Sequence, residues 1–258
     1  MSLHRRARHI ATLAPLLIIG CAFSPLSNRI EVGEEAFVVF VATGPDGNTD
    51  LYATPAGGGT TARITFTPLT ESRPALSGRG DLLIFMRSAD GDSATTGDLV
   101  VMNLLNGAER TLPLPAEIGS VERLAWGSGD TMIIVGTAAG IWGITPPPAE
   151  PTARRLTGSV LTEADSLLGT WLGEPRFARA FNCPAAGGVC LIGPSGDTTN
   201  LASRGRDPFR WGSDSVAWFE GEEMMVRGLG PGIARTVRLG PGAPSGIREG
   251  SYTSPGGW

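Results

Sequence analysis

Arg73-Pro74-Ala75-Leu76-Ser77-Gly78-Arg79-Gly80-Asp81-Leu82-Leu83-Ile84-Phe85-Met86 decides the fold: a turn rich in Ser, Gly and Asp opens directly into an apolar run. The same order of parts recurs in five segments. Each has a turn stretch, an apolar strand, a second turn, another strand, and a short strand rich in Arg, Thr and Leu. The turn stretches are Ala75-Leu76-Ser77-Gly78, Ala125-Trp126-Gly127-Ser128, Thr170-Trp171-Leu172-Gly173, Arg210-Trp211-Gly212-Ser213 and Tyr252-Thr253-Ser254-Pro255-Gly256. With Leu76, Trp126, Trp171, Trp211 and Thr253 set equivalent, the steps are 50, 45, 40 and 42 residues.

A repeat of this length, with four short strands per unit, predicts an all-β chain folded as a β-propeller. The apolar strands that follow the turns are Leu82-Leu83-Ile84-Phe85-Met86, Met132-Ile133-Ile134-Val135, Phe177-Ala178-Arg179-Ala180-Phe181 and Val216-Ala217-Trp218-Phe219. The first run of this kind, Phe37-Val38-Val39-Phe40-Val41, has no turn stretch before it, and the last turn stretch has no strand after it. Pairing the two ends completes one blade. The prediction is five blades of four antiparallel strands, closed by N- and C-terminal segments, because open ends would expose apolar faces.

Residues 1–20 read as an export signal. Arg5, Arg6 and Arg8 are followed by the apolar stretch Ile10 to Ile19, which is too short to span a bilayer. Ile18-Ile19-Gly20-Cys21 resembles the lipobox of bacterial lipoproteins. The resemblance implies cleavage before Cys21, acylation of its thiol, a tether over 21–35 and a propeller domain over 36–258. The competing readings are a plain secretory signal with an incidental cysteine, and a twin-arginine route. Ala22 differs from the Asp that retains enteric lipoproteins at the inner membrane, so outer-membrane sorting, facing the periplasm, is expected.

Composition removes much chemistry. Both histidines, His4 and His9, lie in the leader, and all 21 basic residues are arginine. The mature chain therefore has no Ser-His-Asp or Cys-His machinery, no His-ligated zinc or iron and no Schiff-base lysine. Carboxylate chemistry and calcium remain open. Without Arg5, Arg6 and Arg8, 18 arginines face 25 acids, a charge of −7, which disfavours nucleic acid as a partner.

Cys183 and Cys190 flank a Gly-Gly turn, so a cross-hairpin disulfide is expected in an oxidising compartment, with a reduced or metal-binding pair as the alternative. Asp46-Gly47-Asn48-Thr49-Asp50 alternates oxygen ligands like a Ca²⁺ loop, yet Asp, Gly and Asn are also what a tight hairpin requires. The turn is the preferred reading, and no metal or cofactor is expected. Trp126, Trp171 and Trp211 hold equivalent repeat positions and are expected between blades, and Trp258 is expected at the closure.

Arg63-Ile64-Thr65, then Arg73 to Asp81, then Leu83-Ile84-Phe85 resembles the TolB-type propeller repeat, R-L-T…P-x-W-S-P-D-G…I-x-F, with further matches at Asp46 to Tyr52 and Tyr252 to Gly257. The resemblance covers roughly residues 36 to 258 and implies a periplasmic binding platform. In that family the segments leading into the innermost strands lie near the mouth of the central channel. Here they carry Glu71 and Arg73, Glu122 and Arg123, Asp207 and Arg210, and Arg248 and Glu249, with Asp165 alone in the third repeat. A charged ring of this kind suits an envelope protein segment or a polar ligand, since Arg forks bind carboxylates bidentately. Ion pairs tying blades together are the plainer reading.

The expected function is a lipid-anchored, non-enzymatic binding scaffold. A glycoside hydrolase using Glu71, Glu122, Asp165, Asp207 or Glu249 is the alternative. It requires two carboxylates converging at about 5–5.5 Å or about 6.5–9.5 Å. A structural envelope protein without a ligand is the third class.

Overall fold

The computed structural model describes residues 24–27, 29–89, 96–158, 179–184, 187–193, 195–212, 214–229, 232–240 and 243–254. Among them nineteen strands fall into five antiparallel sheets. β1 (Phe37–Thr43), β2 (Thr49–Pro55) and β3 (Ala62–Arg63) share the first sheet with β19 (Ser245–Thr253), from the far end of the chain. β4 (Thr70–Leu76), β5 (Leu82–Ser88), β6 (Asp98–Asn103) and β7 (Glu109–Leu112) form the second, and β8 (Val121–Trp126), β9 (Ile133–Thr137), β10 (Gly140–Ile144) and β11 (Ala153–Arg155) the third. The fourth holds β12 (Arg179–Asn182), β13 (Val189–Ile192) and β14 (Thr198–Ala202), its expected innermost segment at 170–173 lying outside the described residues. β15 (Arg206–Trp211), β16 (Ser215–Glu220), β17 (Glu223–Gly228) and β18 (Arg235–Val237) make the fifth. These sheets are the blades of a five-bladed β-propeller.

The apolar runs are continuous because each blade is buried on both faces. Successive side chains of a strand point to opposite sides. In β1, Phe37, Val39 and Val41 pack into the seam with blade 2, while Val38, Phe40 and Ala42 pack into the seam with blade 5. In β5, Leu83 and Phe85 face blade 1, and Ile84 and Met86 face blade 3. β16 repeats the pattern, with Ala217 and Phe219 towards blade 1 and Val216 and Trp218 towards blade 4. Burying each such Phe, Leu, Ile or Val contributes roughly 1.5–3 kcal/mol, so the seams hold the ring.

Closure is the pairing of β1 with β19, Phe37 opposite Thr253 and Val39 opposite Ser251. Cys183 and Cys190 form the expected disulfide across the β12–β13 hairpin, with Cα atoms 5.2 Å apart. Trp126 and Trp211 are seam residues. The Trp126 Nε1–H donates to the Ala75 carbonyl of blade 2 at 3.0 Å, and Trp211 stacks on Tyr252 of blade 1 at 4.6 Å. Trp171 and Trp258 lie outside the described residues.

Two local differences have physical causes. The first outer strand, expected over 63–66, is a ladder of only Ala62–Arg63, because the Thr65 hydroxyl accepts the Leu51 N–H at 2.9 Å. Within the expected tether over 21–35, Ser24, Leu26 and Ile30 pack against the blades. Leu26 and Ile30 are buried in the blade 1–blade 2 seam, and the Ser24 hydroxyl donates to the Leu104 carbonyl at 2.6 Å.

Candidate functional site

Innermost strands line the central channel of a propeller, and β4, β8, β15 and β19 hold that position here. Each breaks register with its neighbour in the first half of its length or near its middle. The breaks fall between Ser72 and Ala75, between Val121 and Arg123, between Arg206 and Phe209, and between Arg248 and Gly250. The residues left over at these bulges are Arg73-Pro74, Glu122, Asp207-Pro208 and Glu249. Pro74 and Pro208 have no N–H to give a ladder, which makes a bulge the natural outcome there.

Three of these residues take a backbone conformation that side chains resist. Arg73, Asp207 and Glu249 sit at φ 52°, 52° and 47°. The left-handed region costs a non-glycine residue roughly 1–2 kcal/mol. At Arg73 and Asp207 the following proline is a further conflict, since it favours extended backbone before it. Bulges re-aim side chains, and strained charged residues at equivalent positions of three blades mark a built feature.

Hydrogen bonds knit this level of the ring. The Arg73 N–H donates to Glu249 Oε2 at 2.5 Å, and Arg73 Nε donates to the Glu122 carbonyl at 2.9 Å. Blades 1, 2 and 3 are thereby joined through three of the expected site residues. On the other side, Arg206 Nη1 donates to the Ile247 carbonyl at 2.6 Å, and the Asp207 N–H donates to Asn182 Oδ1 of blade 4 at 2.8 Å. Glu122 is exposed, while Arg73, Arg123, Asp207, Arg210, Arg248 and Glu249 are half-buried. Arg210 Nε donates to the Gly212 carbonyl at 2.8 Å, and burial pushes its pKa down. All these residues lie within the innermost strands rather than ahead of them, because the bulges let the ladders begin earlier. Asp165 lies outside the described residues, as does Cys21.

Glu71 is different. It is fully buried, and its Oε1 accepts from Thr67 Oγ1 at 2.8 Å and Arg87 Nε at 2.9 Å, while Oε2 has no partner. Arg87 also donates to both carboxylate oxygens of Glu109, at 2.5 and 3.0 Å. Burial pushes the Glu71 carboxyl above its ordinary range, with Thr67 and Arg87 opposing. Arg87 and Glu109 were not singled out from sequence. Only the strand register, which sets Glu71 opposite Arg87, exposes the pairing.

Asp46 to Asp50 is a hairpin turn, with Gly47 at φ 80° and the Gly44 N–H donating to the Asn48 carbonyl at 2.8 Å. The Arg63 guanidinium bridges the two carboxylates, 2.7 Å from Asp46 and 2.5 Å from Asp50, where a loop cation would otherwise sit. The bond to Arg63 holds the Asp46 carboxyl low, whereas burial raises that of Asp50 against the pull of Arg63. Among the described residues no group of three or more Cys, Asp or Glu side chains is arranged to hold a metal ion.

No family model matches this sequence, and no curated protein does. Among solved structures, the chain is similar to TolB from Acinetobacter baumannii at 11% identity and a TM-score of 0.42, covering 88% of this chain and 68% of that one. It is also similar to a TolB-type protein from Agrobacterium tumefaciens, at 13% identity and a TM-score of 0.37, covering 84% and 73%. The tricorn protease matches at 14% identity and a TM-score of 0.35, over 72% of this chain and 20% of that one. The five-bladed ring rests on the strand pairing described above.

Proposed function

We propose that the chain is a lipid-anchored binding scaffold of the bacterial envelope, which holds a protein segment or polar ligand at the bulged level of its innermost strands. The observation that carries this reading is the positive φ of Arg73, Asp207 and Glu249. Glycine would take these positions without strain. Charged side chains kept there at a cost in stability indicate that the charges are used. Export and anchoring rest on the leader and on Cys21. A disulfide fits the oxidising space outside the inner membrane. Two of the carboxylates a hydrolase would need are already engaged, Glu71 by Arg87 and Glu249 by the Arg73 N–H.

The test uses the mature protein as bait against solubilised envelope from the source organism, beside an Arg123→Glu/Arg248→Glu variant shown to fold by its circular dichroism. A retained species lost from the variant supports the reading. Identical sets on both baits, or nothing retained, refute it.

A further inference from the structure

Antiparallel blades sort their turns between two faces. The β1–β2 turn and the crossings from β3 to β4 and β7 to β8 lie on one. The β4–β5, β6–β7 and β17–β18 turns lie on the other, as does the chain leading into β1. Of the large apolar side chains exposed among the described residues, Leu105 (56% exposed) and Ile233 (95%) both belong to this second face, in the β6–β7 and β17–β18 turns. Phe66 (70%) belongs to the first, where the Arg63 guanidinium covers its ring at 4.9 Å.

The N-terminal segment marks the same second face. Ser24 is bonded to Leu104, the residue next to Leu105, and Leu26 and Ile30 are sealed in the adjoining seam. An arc from Ile233 through blade 1 to Leu105 thus surrounds the point where the chain leaves the ring. Two residues, Ala22 and Phe23, separate Ser24 from Cys21, a span of at most about 11 Å.

We infer that this second face rests on the lipid surface, with Leu105 and Ile233 inserted among the headgroups, so that the bulged level of the inner strands opens away from the membrane. The inference rests on acylation of Cys21 as proposed above. With Leu26 and Ile30 locked into the seam, too little chain remains for the ring to tumble freely on its anchor. Exposed Arg29 and Arg79 share the face with exposed Glu31, Glu34, Asp197 and Asp214, so the contact is apolar and gains nothing from anionic lipid.

The test uses the full-length protein, expressed with its leader and reconstituted into phosphatidylcholine vesicles with and without phosphatidylglycerol. An environment-sensitive fluorophore is placed through Leu105→Cys, Ile233→Cys or, as control, Phe66→Cys. Mass spectrometry of the N-terminal peptide reports on Cys21 first. The expected result is an acylated Cys21 with quenching by spin-labelled lipid several-fold stronger at 105 and 233 than at 66, in both lipid mixtures. An unmodified Cys21 overturns the anchoring and this orientation with it. An acylated Cys21 with equal quenching at all three positions overturns the orientation alone.

Discussion

Changing Arg87 of β5 to Met isolates the fully buried Glu71 carboxylate of β4. The substitution leaves the fully buried Glu71 carboxylate with the Thr67 hydroxyl alone, since its Oε2 is already without a partner. Removing one partner of a buried pair costs about 3–5 kcal/mol. The lost bonds to the partly exposed Glu109 add at most about 1 kcal/mol. For a domain of this size the Tm drop is roughly 6–20 °C. Urea unfolding followed by tryptophan fluorescence measures the loss. A Glu71→Leu/Arg87→Met variant should recover most of it, because an apolar pair removes both the charge and its desolvation. The pH dependence has a definite sign. Burial raises the Glu71 carboxyl above its ordinary 4.5, so its stabilising contribution is present below that value and is lost as pH rises through the folded-state pKa. Without Arg87 the carboxyl moves higher still, so the Arg87→Met deficit is larger at pH 7 than at pH 4.5. A loss under about 1 kcal/mol, a deficit that ignores pH, or no recovery in the double variant would refute this reasoning.

Other expectations are independent of that pair. Asp207→Gly relieves a φ of 52° without removing any side-chain hydrogen bond seen among the described residues; stability should rise by about 0.5–1 kcal/mol in urea titration, after glycine's backbone entropy is subtracted. A fall would show that the backbone there is unstrained. Cys183→Ser/Cys190→Ser opens a short loop of sequence separation 7 and should cost about 2.5 kcal/mol in urea unfolding against the disulfide-bonded wild type. Trp126→Phe removes the Nε1–H bond across the seam between blades 2 and 3, while the Ala75 carbonyl keeps its place opposite Ile84 in the ladder, a loss of about 0.5–1.5 kcal/mol by thermal melting.

The repeat period and four of the five apolar strands were legible because blades buried on both faces require unbroken apolar runs, as in Phe37 to Ala42 and Leu83 to Met86; the fourth, Phe177 to Phe181, lies partly outside the described residues. Trp126 and Trp211 were legible as seam residues because equivalent repeat positions meet equivalent neighbours. The closure could be read from a strand and a turn stretch each missing its other half. The bulges could not. Pro74 and Pro208 hint at them, but the offset of Glu122 and Glu249 depends on register across a sheet. The same holds for Glu71, whose partner Arg87 is defined only once β4 lies beside β5. Leu26 and Ile30 looked like parts of a tether because a few apolar residues scattered among Ser, Pro, Asn and Glu specify no strand, and only the open seam beside Phe37 gives them a place.

The most direct measurement of the central claim is photo-crosslinking in the source cells, with a photoreactive residue at Glu122 in the inner ring or at Asn106 on the opposite face. The proposed site predicts a discrete adduct at position 122 that is absent at 106 and disappears when Arg123 and Arg248 are changed to Glu. The same adducts at both positions, or none at 122 in a folded and correctly exported protein, would contradict it.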